Sequence, residues 1–132
     1  MNNTVNTYED INIQLQNLPL INPSNLEKLR NSTINNPEYL VEIFESFLDD
    51  SKELLQSIED SAATSNFSEY FTSVHSLKGL AGTLGFSKLF CALKAMDSHN
   101  KEKSFGTSVN YIPLLKTLLL NIEEYLQSEF IR

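Results

Sequence analysis

The chain has 132 residues, the size of one domain, with 41% hydrophobic and 20% charged residues, which excludes a disordered tail, a collagen-like fibre and a disulfide-stapled miniprotein. Ten basic and seventeen acidic residues leave a net charge of −7, the wrong sign for a nucleic-acid binder. One cysteine, Cys91, closes no intrachain disulfide and fits a reducing compartment.

Met1 to Gln14 is rich in Asn and Thr and has no basic start followed by an apolar stretch, so no leader is expected. The chain reads either as a free-standing protein, which the initial Met slightly favours, or as a piece of a larger hybrid polypeptide. The most apolar stretch, Ile112 to Ile122, is broken by Pro113, Lys116 and Asn121 and is too short and polar to cross a bilayer. These features predict a cytoplasmic monomer with no membrane contact. Residues 1–20 read as a flexible lead-in and residues 21–132 as the folded domain.

Asn22-Pro23-Ser24 is a cap signal before a short helix, Leu26 to Arg30. Pro37 suits the first turn of the next. From Glu38 to about Ala63, Leu40, Phe44, Phe47, Leu48, Leu54, Leu55, Ile58 and Ala62 recur at steps of three and four along one face. Ser65 or Asn66 caps a third helix, with Phe67, Tyr70, Phe71, Val74, Leu77, Ala81 and Leu84 at helical spacing and Gly85 as its stop. Ser87 caps a fourth carrying Leu89, Leu93 and Met96, which ends before a polar loop, Ser98 to Gly106. The last starts near Ser108 or Asn110 and carries Leu115, Leu118, Leu119, Ile122, Leu126 and Phe130. No useful strand period appears. Four long amphipathic helices with short links predict an all-α, antiparallel up-down-up-down four-helix bundle with a short extra N-terminal helix.

The third helix runs His75-Ser76-Leu77-Lys78-Gly79-Leu80-Ala81-Gly82-Thr83-Leu84-Gly85. Two glycines inside a helix cost roughly 1 kcal/mol each relative to Ala, so they call for a reason. At about 100° per residue, His75, Lys78, Gly79 and Gly82 share one sector beside the core face. Glycines four and seven residues after His75 leave the imidazole above bare backbone, open to a large partner. Lys78 puts an ammonium near anything attached to that ring. Each residue has a blander reading: a surface histidine, glycines for close helix packing, a solvated lysine. Shared placement in one sector is what packing alone does not require. Residues 1–74 carry three bases and twelve acids, whereas residues 75–103 carry five bases and two acids. That basic stretch around His75 suits an anionic adduct or an acidic docking surface.

These residues resemble the motif H-x-L-K-G-x-x-x-x-L-G of histidine-containing phosphotransfer (HPt) domains of bacterial and fungal multistep phosphorelays. Leu89, Leu93 and the helix pattern over residues 24 to 130 also fit. The resemblance implies a phosphoryl carrier rather than an enzyme. His75 would take a phosphoryl group on Nε2 from a receiver-domain aspartate and pass it to another receiver. Lys78 would stabilise the phosphoryl charge, and Gly79 and Gly82 would give the partner access. Partners would be response-regulator receiver domains and a hybrid sensor kinase. No cofactor is expected in the chain itself, with Mg²⁺ supplied by the receiver. The family often hydrogen-bonds the other ring nitrogen from the next helix. The matching position, 22 residues after His75, holds Asp97, one methylene shorter than the usual Gln or Glu. If Asp97 reaches Nδ1 it fixes the tautomer; otherwise it is a solvated acid.

A neutral imidazole near pH 7 is already a nucleophile, and phosphoryl transfer needs mainly positioning and charge neutralisation. No metal site is expected from two histidines and one cysteine. Cys91 reads as a small packing residue; Phe71, four residues before His75, reads as core or as part of an apolar docking patch beside the histidine, with core favoured. The rival reading is a helical interaction module that binds a receiver or kinase domain without carrying phosphate.

Overall fold

The computed structural model describes residues 8–131. They form α1 (Tyr8–Gln16), α2 (Pro23–Ser32), α3 (Pro37–Ala63), α4 (Phe67–Leu84), α5 (Ser87–Lys101), α6 (Phe105–Val109) and α7 (Ile112–Glu129). No strand occurs among the described residues.

Local chemistry sets the boundaries. The Asn22 side chain accepts the N–H groups of Ser24 and Asn25 at 2.9 and 3.3 Å and opens α2. Pro37 and Pro113 sit in the first turns of α3 and α7, where a missing N–H costs no helical bond. Asn66 accepts the Glu69 N–H at 3.3 Å and opens α4. Gly85 closes α4 in the left-handed conformation at φ 83°. There the Gly85 and Phe86 N–H groups both donate to the Ala81 carbonyl at 2.9 Å, satisfying an end that helix geometry leaves open.

Helix α3 packs on α4, α4 on α5, α5 on α7 and α7 on α3. Links of a few residues turn α3 into α4 and α4 into α5. The pairs Lys52–Glu123 and Lys116–Glu59 tie α3 to α7 in opposite chain directions. Phe44, Tyr70, Leu77, Phe86, Leu89, Met96, Leu115 and Ile122 are fully buried between these helices, each contributing roughly 1.5–3 kcal/mol. The stripes expected for the second, third and last long helices thus meet in one core, and the all-α bundle class stands.

Two regions differ from the sequence reading. The lead-in expected over residues 1–20 contains α1, which packs on α5 with Ile11 and Leu15 buried; residues 1–7 lie outside the described residues. Ile11 and Leu15 are four apart and make one short apolar face, too small to stand out among Asn and Gln. Lys88 reaches from α5 to the Leu15 carbonyl and caps the end of α1. The second difference is α5, which runs on through Ser98 to Lys101 where a loop was expected. His99 and Asn100 turn inward rather than out, with His99 Nε2 3.3 Å from the Tyr111 hydroxyl. Polar side chains on a buried face broke the apolar pattern. Beyond them, α6 lies inside the expected loop and sets Phe105 against Phe67, ring centroids 4.2 Å apart. Ser87 is the first residue of α5 rather than its cap; the buried Phe86 holds the cap position.

Candidate functional site

The outer strip of α4 carries His75, Ser76, Gly79, Gly82 and Thr83, all exposed. Leu77, Ala81 and Leu84 on the opposite side fix the helix to the core. The His75 imidazole therefore stands on a rigid, fully packed helix and faces outward. Among the described residues no side chain or backbone group hydrogen-bonds it.

The two glycines do different work. A Cβ at Gly79 would meet nothing within 4 Å, so the surface one turn beyond His75 is open. A Cβ at Gly82 would come within 3.1 Å of the Phe90 ring from α5. The missing side chain at 82 thus also lets α4 and α5 approach closely. Both glycines lie on the His75 strip, as their spacing requires.

Lys78 and Asp97 meet directly. Lys78 Nζ donates to Asp97 Oδ2 at 2.8 Å, and Lys101 Nζ lies 3.4 Å from the same oxygen. Burial works against the Asp97 charge, but the hydrogen bonds and charges of Lys78 and Lys101 outweigh it and hold the carboxyl below its ordinary range. The sequence offered Asp97 as a partner for His75; here its carboxylate is engaged by two ammonium groups instead. The short Asp side chain ends level with Lys78, and two ammonium groups hold its carboxylate through charge-assisted contacts. Lys101, one turn after Asp97, was not singled out in the sequence because exposed lysines are common.

On the α3 side, Asp50, Glu53 and Leu54 line a shallow open depression with His75, Ser76, Gly79 and Leu80. The neighbourhood of His75 is therefore acidic on its α3 flank. The basic stretch over residues 75–103 does not surround the ring: Lys78 and Lys101 go to Asp97, Lys88 to the Leu15 carbonyl. Linear charge counts miss acids brought in from a helix 25 residues earlier. One turn before His75, Phe71 is half-buried with its ring centroid 5.2 Å from that of Phe105. Together with Phe67 these rings form an aromatic edge beside the strip. Cys91 faces Gln14, 3.6 Å away, and burial pushes its thiol pKa up. No group of three His, Cys, Asp or Glu side chains that could hold a metal ion occurs among the described residues. None of the described helices is long and apolar enough to cross a membrane.

An outward imidazole on a packed helix, with an open glycine one turn on, is a geometry for passing a group between large partners. A family model for the Hpt domain matches residues 42–127, about two thirds of the chain. The chain belongs to the Hpt domain family. Hpt domains act in phosphotransfer within phosphorelays, where they meet receiver domains and kinases. The match runs from α3 into α7 and takes in the whole of α4, including His75, Lys78, Gly79 and Gly82; α1 and α2 lie before it. Neither curated proteins nor solved structures yield a match to this Hpt chain.

Proposed function

We propose that this Hpt chain is a phosphorelay intermediate in which His75 accepts a phosphoryl group from a receiver-domain aspartate and passes it to a second receiver. The observation that carries the reading is the exposed, unbonded imidazole one turn before an open Gly79. In the transfer the Nε2 lone pair forms the N–P bond as the O–P bond of the aspartyl phosphate breaks. The electron pair leaves on the receiver carboxylate, and the Nδ1 proton stays on the ring. Reversal of the same steps delivers the group onward. Lys78, one turn along the helix, neutralises phosphoryl charge. Mg²⁺ and the acceptor aspartate belong to the receiver, so the chain works as a carrier and not as an enzyme.

The strip suits a receiver docking along α4, with Gly79 and Gly82 letting its active site close over His75. A cytoplasmic setting with a hybrid sensor kinase upstream fits this role, and the working domain takes in α1, whose Ile11 and Leu15 join the core, as well as residues 21–131.

The test is to incubate the chain with a phosphorylated receiver domain and Mg²⁺ beside a His75→Gln variant. Acid-labile, alkali-stable label on the wild type alone is the expected result. Label retained by the variant would remove His75 as the acceptor. A receiver that binds the chain and transfers nothing would favour an interaction module.

A further inference from the structure

We propose that Asp97 is a positioning residue that holds Lys78 while His75 is bare and competes with the phosphoryl group for that lysine once His75 is loaded; the proposal rests on the carrier reading above. The side chains of Lys78 and Asp97 are 19% and 13% exposed, whereas Lys101 on the same Asp97 oxygen is 75% exposed. One carboxylate thus serves an inner and an outer ammonium.

Lys78 sits three residues from His75 on one helix, and side chains at this spacing start about 5–6 Å apart at Cβ. A lysine's four-carbon stem swings its point charge between nearby acceptors without moving the backbone. Before transfer the acceptor is the singly charged Asp97. After transfer it is a phosphoryl group with up to two negative charges and three acceptor oxygens. The group on His75 therefore draws Lys78 away, and the cost falls on Asp97. A largely buried carboxylate stripped of its partner is strongly disfavoured. Lys101, four residues after Asp97, stays in place and limits that cost.

The consequence is a bias in the equilibrium. Asp97 stabilises the bare state through its bond to Lys78 and gives that bond up in the loaded state. A neutral side chain at position 97 would leave Lys78 available to the phosphoryl group from the start. This carrier is set toward delivering its group rather than storing it. Lys101 works in the opposite sense, since without it Asp97 grips Lys78 harder.

The experiment equilibrates the chain with a receiver domain charged from labelled acetyl phosphate, with Mg²⁺, and reads the share of label on each protein. Asp97→Asn is expected to raise the share on the chain by roughly three- to tenfold in the equilibrium constant. The gain should vanish when Asp97→Asn is combined with Lys78→Met. Lys101→Met is expected to shift the share the other way. A merely structural Asp97 would give no shift, or one that persists without Lys78, and either result overturns the proposal. Should Asp97→Asn fail to fold, the exposed Lys101→Met decides alone: an unchanged share refutes the competition. Absence of label on the wild type would instead overturn the carrier reading itself, and this proposal with it.

Discussion

Tyr70 and Ser108 share a 2.7 Å hydrogen bond inside the core, joining α4 to α6. Tyr70 lies five residues before His75 on the inner side of the same helix. Burial pushes its phenol pKa up, with the Ser108 bond pulling the other way. Beside this bond Phe105 of α6 rests on Phe67 and Phe71 of α4. A short helix hidden in a polar stretch thus fixes the orientation of the helix that presents His75.

Tyr70→Phe removes the hydroxyl and leaves that of Ser108 buried without its partner. The expected loss is about 1–3 kcal/mol, read as a lower urea midpoint with an unchanged slope. Acceptance of phosphate by the folded variant should match the wild type, because the ring still fills its place in the core. An unaltered midpoint would show that the bond adds nothing net to stability.

Gly79 allows stability and transfer to be separated. Its missing Cβ faces open space, so Gly79→Leu gains helix propensity, up to about 1 kcal/mol. The same side chain fills the gap one turn beyond His75. We expect a higher melting temperature together with transfer slowed on the order of tenfold or more, since small misplacements of reacting groups carry large rate penalties. Lower stability, or unhindered transfer, would mean that this glycine is not there for access.

Gly85 is a glycine of another kind. Its φ of 83° is in the left-handed region, and a Cβ there would fall 2.5 Å from the Asn25 Cβ. The Asn22 N–H also donates to the Gly85 carbonyl at 2.7 Å, binding α2 to the α4–α5 turn. Gly85→Ala therefore strains the backbone and pushes α2 away. A loss of more than about 1 kcal/mol is expected, and the midpoint of chemical denaturation measures it.

How much of this was legible in the sequence follows from how each signal arises. Apolar residues repeating at helical steps produce α3, α4 and α7 because the same periodicity buries them. The strip of His75, Gly79 and Gly82 was legible because residues on one helix have fixed relative directions. Contacts between helices were not. Asp97 could be matched to a position facing α4, but only packing decides that Lys78 rather than His75 meets its carboxylate. Asp50 and Glu53 reach the His75 flank from α3, a contact that no local pattern encodes. The inward turn of His99 and Asn100 hid the end of α5, because polar residues on a buried face look like a loop. Gly82 looked like an access glycine, and the Phe90 ring adds packing to that role.

The Lys78–Asp97 pair also makes a prediction about acid. In the folded chain the Asp97 carboxyl is held below its ordinary value of 3.8 by Lys78 and Lys101, against the opposing effect of burial. In the unfolded chain those partners are gone and the carboxyl returns to its ordinary value. Between the two values the unfolded state binds more protons, so stability falls with falling pH. The contribution of Asp97 is thus complete above the ordinary carboxylate range and disappears as pH drops through the depressed folded value. Asp97→Asn lacks it at every pH. The variant should be less stable than the wild type by about 1–3 kcal/mol near neutrality. The gap should narrow progressively once the pH falls below the ordinary carboxylate value. Urea midpoints of both proteins at neutral, mildly acidic and strongly acidic pH provide the comparison. A gap that persists undiminished into strong acid would mean that the carboxylate's charge, and hence its hold on Lys78, contributes nothing to the folded state.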